Sequence, residues 1–412
     1  MASADSLWRD RDFLPFWAAH AVSLAGTQVT ALALPLTAVL LLDASAGQVG
    51  LLRAAEAVPV LLISLAAGAW TDRIQRRPLM IAADLSRAAI LCGIPLAALC
   101  GVLRIELLYM VVFAVGGLSV LFDVAHTAYL PGLVRRERLA EGTAKLEMSR
   151  SVAQVAGPSG AGWLIQVLSP PLAILADALS FVASALLLAR IRIPEPPPTV
   201  SSRHFLADVG EGLRIVGGSR LLRPLALTSA AFNLFVGAPN TLLVLYATRE
   251  LGLEPVTLGA VYAVGSIGGL VGAVLATATV RRVGLGPAVL GGWLLAAVGT
   301  ALLPLAGGPP PVAMPQLAAG RLLFGLGLTV GNIAYQALRQ GITPDHLLGR
   351  VAATGRFISW GTIPLGGLLA GALGDAVGLR ASMVVGSVGI ALSCACLLRS
   401  PVRAVRRVPA QG

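Results

Sequence analysis

The sequence predicts an all-α membrane protein of twelve transmembrane helices in two pseudo-symmetric six-helix halves. Composition is the first ground for this. Of 412 residues 56% are apolar and 12% charged, whereas a soluble chain is about one quarter charged. Length is the second. Twelve separate apolar stretches each reach about 19 residues or more, enough to cross the hydrocarbon core of a bilayer. The third is a repeat. Ala128-Tyr-Leu-Pro-Gly-Leu-Val-Arg-Arg-Glu-Arg-Leu139 and Ala334-Tyr-Gln-Ala-Leu-Arg-Gln-Gly-Ile-Thr-Pro-Asp-His-Leu347 each lead from a helix end through a polar turn with an acid to a leucine. A basic helix start (Arg150, Arg356) and a Gly/Pro-rich span follow in both. Leu139 and Leu347 are 208 residues apart, Arg150 and Arg356 are 206 apart, and half of the chain is 206.

The expected spans are 13–42, 47–70, 78–103, 106–128, 150–168, 171–190, 223–248, 256–280, 286–306, 312–336, 355–377 and 380–398. The charged N-terminus precedes an apolar run of about 30 residues with no small-residue cleavage site, so it reads as a retained first span. Pro35, Pro59, Pro95, Pro158, Pro304 and Pro364 fall inside spans, where a bundle tolerates them as kinks.

Basic residues orient the chain. With the N-terminus on the cytoplasmic side, 25 of the 31 lysines and arginines fall on inside segments. Only Arg104, Arg249 and Arg380 fall outside, and Arg53, Arg87 and Arg321 lie within spans. Both termini are therefore expected in the cytoplasm, on a multi-pass protein of the inner (plasma) membrane. The net charge of +11 is spread between spans and not gathered on one domain with aromatics, which argues against a nucleic-acid partner.

Three domains follow. Residues 1–190 form the first half, 191–222 a cytoplasmic linker, and 223–412 the second half with a basic tail. The linker opens with Pro194-Glu-Pro-Pro-Pro198, a stiff spacer. Phe205, Val209, Leu213, Ile215 and Val216 then recur at helical spacing, which predicts an amphipathic helix along the inner membrane surface.

Several chemistries are disfavoured. The only lysine is Lys145, so the chain has no Gly-Lys-Ser/Thr phosphate loop for ATP. His20, His126, His204 and His346 fall in separate segments. Cys92, Cys100, Cys394 and Cys396 lie in apolar spans without metal spacing. No metal, cofactor or enzyme activity is expected.

Between spans two and three stands Gly68-Ala-Trp-Thr-Asp72-Arg73-Ile-Gln-Arg76-Arg77-Pro78. Gly68 permits a close helix approach, and the charges sit where one helix end meets a neighbour. This G-x-x-x-D-R-x-x-R-R pattern resembles the loop between helices 2 and 3 of the major facilitator superfamily, although Gln75 stands where glycine is common. The resemblance implies that Asp72, Arg73, Arg76 and Arg77, with Asp123 near the inner end of span four, form a cytoplasmic latch on the outward-open state. Topology-setting charge is the other reading. The second half's counterpart, Val280-Arg281-Arg282-Val-Gly284, has lost its acid.

In span five, Gly157, Pro158, Gly160 and Gly162 resemble the G-P-x-x-G-G motif of exporter branches, with a departure at Ala161. They bend the helix and let a neighbour pack closely; small-residue packing alone is the alternative. Leu175-Ala-Asp177-Ala-Leu-Ser180-Phe181, the opening Asp12-Phe13…Phe16-Trp17 and the Asp84…Arg87 pair resemble the branch containing the enterobactin exporter and macrolide efflux proteins. The family resemblance implies a monomeric secondary transporter in the lipid bilayer. It would export drugs, siderophores or secondary metabolites in exchange for protons, with no cofactor. An importer of a small solute and a non-transporting membrane receptor are the alternatives.

Ionisable residues within spans are functional candidates. Arg53 and Glu56 stand one helical turn apart and can neutralise each other. Glu56 ranks first as a proton carrier, because burial and Arg53 pull on it in opposite directions, and Asp177 ranks second. Asp84, Asp123 and Asp375 are assigned to charge pairing near the inner face. Arg321 needs an acid, a carbonyl or a substrate anion. Gln28, Arg53, Gln154, Asn233, Arg321 and Asn332 are the substrate-cavity candidates, with His20, Asn240 and Gln336 as further polar groups. An interhelical hydrogen bond is the competing role for each.

Overall fold

A computed structural model describes residues 7–71, 74–193, 195, 205–344 and 347–406, with backbone only for 64–71 and 205–209. Asp72 and Arg73 lie outside the described residues, as do His204 and His346, and Gly68 is described only as part of a helix backbone. The chain runs α1 (Phe13–Leu40), α2 (Ala46–Thr71), α3 (Arg76–Leu99), α4 (Ile105–Leu133), α5 (Leu139–Leu168), α6 (Pro170–Ala189), α7 (Phe205–Gly218), α8 (Leu222–Leu245), α9 (Pro255–Val283), α10 (Leu285–Leu302), α11 (Pro310–Ile342), α12 (Leu348–Val377) and α13 (Leu379–Leu398). Each of the twelve expected spans coincides with one helix, and α7 falls in the linker. Among the described residues eleven helices are long and apolar enough to cross a membrane. The exception is α5, whose first third is polar and charged.

Some helix ends depart from the expected bounds. Arg150 and Arg356 sit inside α5 and α12, which begin at Leu139 and Leu348. A basic residue marks the membrane boundary but does not start a helix. Pro304 does not kink a span: α10 stops at Leu302, and Leu303 donates to the Thr300 carbonyl in a tighter turn. Pro35, Pro59, Pro95, Pro158 and Pro364 do lie within helices.

The chain forms two compact units, Met1–Asp43 with Ala55–Arg203, and Ala44–Ala54 with His204–Gly412. In the first, α1 packs on α5 and α6, and α3 packs on α4 and α6. Phe13, Phe16, Met80, Phe122, Tyr129 and Leu146 build one of its cores. In the second, α9 and α10 flank α11, and α8 contacts α12 and α13, around a core of Phe232, Trp293, Phe324, Tyr335 and Ile390. Large apolar side chains also cover the outside, with Val274 80% exposed and Leu305 72%. In water such surface is a liability; against hydrocarbon it is the expected finish.

Linker helix α7 packs on α12 within the second unit and does not only line a membrane surface. Val216 is buried with Leu222, Ala226 and Val351, and Arg350 donates to Glu211 at 2.9 Å. A Cβ at Gly212 would come within 2.0 Å of the Thr354 hydroxyl. Asp375 is also displaced from its expected place. Its carboxylate accepts from the Gly47 amide at 2.9 Å and the Ser45 hydroxyl at 3.0 Å. It therefore lies at the far end of α12 from the linker helix α7, which the orientation expected from the arginines puts on the inner side. Counting residues along α12 from Arg356 leads to the same end.

Candidate functional site

In the first unit, α3 supplies Asp84 and Arg87 one turn apart, 0% and 4% exposed. The Arg87 Nη2 donates to Asp84, and Nη1 donates to Ser119 Oγ at 3.2 Å. Its guanidinium stands 4.5 Å from the Phe122 ring centroid and 4.1 Å from that of Phe181, so π-faces and hydrogen bonds replace part of the lost water, while Arg87 Nε is buried without a hydrogen-bond partner among the described residues. Asp123 and Asp177 are further electrostatic neighbours of Arg87. Asp177, 1% exposed, accepts from Ser180 Oγ at 3.1 Å. Helix α1 reaches this acid because Gly26 has no Cβ; one there would fall 2.6 Å from Asp177 Oδ1. Residues that look like three separate features in the sequence thus converge on one arginine.

The sequence puts the histidines in separate segments, yet His20 of α1 and His126 of α4 stack with ring centroids 4.4 Å apart. Phe16 also stacks on His126, at 4.3 Å. The pairing follows from helix packing, which sequence separation does not reveal. The His126 Nε2 is buried without a hydrogen-bond partner among the described residues. Ser119, Phe122 and His126 are site residues that sequence reasoning misses. The signal available is an arginine in an apolar span, which must be compensated by whatever packs around it.

The described part of the expected latch is tied down by backbone contacts. Arg76 Nη1 donates to the Ala128 carbonyl at 3.2 Å, and Arg77 donates to those of Leu188 and Ala189 at 3.0 and 2.6 Å. These carbonyls lie toward the C-terminal ends of α4 and α6, where a cation complements the helix dipole. The Glu195 carboxylate accepts from the Arg76 and Arg77 amides at 2.7 and 3.1 Å. It caps the start of α3 from the linker, a contact that the sequence does not suggest. Asp123 has Arg87 and Arg150 as its charged neighbours.

In α5 the glycines differ. A Cβ at Gly157 would lie 2.4 Å from Gln28 Cγ of α1, so glycine is needed for that approach. Gly162 is buried, Pro158 lies within the helix, and nothing stands within 4 Å of a Cβ at Gly160. Gln154 is exposed on the same helix, as is Glu56 on α2.

In the second unit, α8, α10, α11 and α12 line a half-open cavity of about 480 Å³. Asn233 and Asn332 both line it, beside Phe232, Trp293, Tyr335, Gln336, Arg339, Gln340, Arg356 and Trp360. Trp293 Nε1 donates to Asn332 Oδ1 at 3.2 Å, and Asn233 Nδ2 donates to the Ser229 carbonyl at 2.9 Å. Arg321 is elsewhere. Its Nη1 donates to Asn240 Oδ1 at 2.7 Å, and its guanidinium stands 4.6 Å from the Tyr262 centroid. An amide oxygen and a ring face therefore answer its charge. Arg53 packs near Gly367, where a Cβ would lie 3.3 Å from that of Arg53.

The family model of the Major Facilitator Superfamily matches residues 16–361. The chain is 30% identical over 377 residues to a multidrug efflux pump, Tap, of Mycolicibacterium fortuitum, covering 87% of this chain and 88% of that protein. It is 24% identical to macrolide efflux protein A of Streptococcus pyogenes, covering 95% and 96%. Among solved structures, a bacterial homologue of the iron transporter ferroportin in an inward-facing state superposes with a TM-score of 0.76 at 18% identity, covering 95% of this chain and 98% of that one.

Proposed function

Because this chain belongs to the major facilitator superfamily, we propose that it is a secondary active exporter of drugs, siderophores or secondary metabolites, driven by proton antiport through alternating access. The observation carrying the export direction is near full-length similarity to proteins named as multidrug and macrolide efflux pumps. Proton coupling is supported by the acids gathered around Arg87, since three carboxylates and one guanidinium can accept a proton without leaving an unopposed positive charge. In everted vesicles a compound panel should elicit substrate-linked proton movement. Its absence, together with unchanged cellular accumulation of every compound, would remove the reading.

For the coupling residue we rank Asp177 above Glu56, reversing the order that the sequence suggests. Glu56 is exposed, so the burial argument for it is lost, while Asp177 is buried among polar partners. Asp177→Asn should retain substrate binding but lose dependence on a pH gradient. Gradient-dependent efflux by Asp177→Asn, with Glu56→Gln uncoupled, would return the role to Glu56.

The arginine distribution further supports both termini in the cytoplasm. In a cysteine-free background, cysteines at the exposed positions Gln75 and Gln340 should react only from the cytoplasm, and one at Glu254 only from outside. Labelling of position 75 in intact cells by an impermeant reagent would refute this orientation.

A further inference from the structure

We propose that the cavity of the second unit is a binding site for a flat aromatic anion, typified by an aromatic carboxylate. This names a substrate class for the exporter proposed above and rests on that reading for transport, though not for binding. The first ground is charge. Arg339 of α11 and Arg356 of α12 both line the cavity. The described acids of this unit lie elsewhere: Glu211 pairs with Arg350 at 2.9 Å, Glu250 with Arg380 at 2.9 Å, Asp375 accepts from Gly47 and Ser45, and Glu254 stands exposed at the start of α9. Among the described residues no carboxylate lines the cavity. Two guanidinium groups facing one cavity repel a cationic ligand and favour an anionic one. Their planar forks also match the two oxygens of a carboxylate.

The second ground is the wall. The Phe232 and Trp293 centroids are 5.3 Å apart, and those of Trp293 and Tyr335 are 5.6 Å apart. The Trp293 ring is 1% exposed and anchored through Nε1 to Asn332, so its orientation is set before a ligand arrives. Phe232 and Tyr335 are likewise buried, 3% and 8% exposed, so these three rings back the wall, and Trp360, 46% exposed on the α12 side, is the ring on which a ligand would stack. Aromatic rings alone would also suit an organic cation; the two arginines decide against it. A cavity of about 480 Å³ matches the size range of small-molecule sites.

Orientation of the protein in the membrane is a competing role for both arginines, and charge-preserving variants separate the two. Binding to the purified full-length protein in detergent is measured calorimetrically with 2-naphthoate, and with 2-naphthylmethylammonium as the same ring of opposite charge. The wild type should bind the naphthoate about tenfold or more tightly than the ammonium. Arg339→Gln and Arg356→Gln should each weaken naphthoate about tenfold, the scale of one charge-assisted contact. Arg339→Lys and Arg356→Lys keep the charge for orientation but lose the fork, and should fall between.

Equal or tighter binding of the ammonium, absence of naphthoate binding, or unchanged affinity in both glutamine variants would overturn the proposal. If the glutamine variants do not fold, the wild-type charge preference and the lysine variants decide the matter. Naphthoate that binds without being transported in vesicles would support the cavity and count against its role in export. Transport of other compounds without naphthoate binding would do the reverse.

Discussion

Arg87→Met should yield little folded protein. Removing the guanidinium leaves Asp84 without its bonded partner and takes away the shared electrostatic neighbour of Asp123 and Asp177. Breaking a buried pair by deleting one member costs about 3–5 kcal/mol, a large share of the roughly 5–15 kcal/mol that holds a domain together. The variant should appear aggregated on fluorescence-detected size exclusion, or melt well below the wild type in detergent. Arg87→Met combined with Asp84→Asn should recover part of the loss, because the stranded charge is then gone. Arg380→Gln makes the contrast: its pair with Glu250 is exposed, 53% and 34%, and its loss should cost less than about 1 kcal/mol. A monodisperse Arg87→Met protein with an unchanged melting temperature would show that the acids do not depend on this arginine.

The second large effect is steric. A Cβ on Gly325 of α11 would lie 2.1 Å from the Gly265 carbonyl oxygen and 3.0 Å from the Gly269 nitrogen of α9. Both contacts are backbone, so no side chain can turn aside and the helices must separate. Without water to drive them together, helices in a bilayer associate through such close packing. Gly325→Ala should therefore cost about 1–3 kcal/mol, and Gly325→Leu more. Gly291→Ala on α10 is the control, because nothing stands within 4 Å of its added Cβ. Melting curves of the three variants against the wild type test this, and equal melting of Gly325→Ala and Gly291→Ala would refute the packing argument.

Much of the fold is legible because bilayer-spanning segments are selected on length and hydropathy, both properties of contiguous sequence. That is why each expected span meets a helix, and why Asp84 and Arg87, one turn apart on α3, can be read as a pair without a structure. Local caps are less legible. The start of α3 is satisfied by Glu195, more than a hundred residues away, and no window around Arg76 contains that information.

The sequence by itself determined a polytopic helical chain with twelve spans, a linker helix and a duplicated pattern, since a 206-residue offset and a basic-residue asymmetry need no tertiary contact to be read. The tertiary structure alone decided which polar groups meet. It gathered Asp123 and Asp177 around Arg87, stacked His20 on His126, bonded Arg321 to Asn240, and put Asn233 and Asn332 on one cavity with Arg339 and Arg356. The physical reason is that a polar side chain in an apolar span is compensated by groups on other helices. Which helix supplies the partner is set by backbone approach at small residues such as Gly26, Gly157 and Gly325, where a missing Cβ has its effect only once two helices lie side by side.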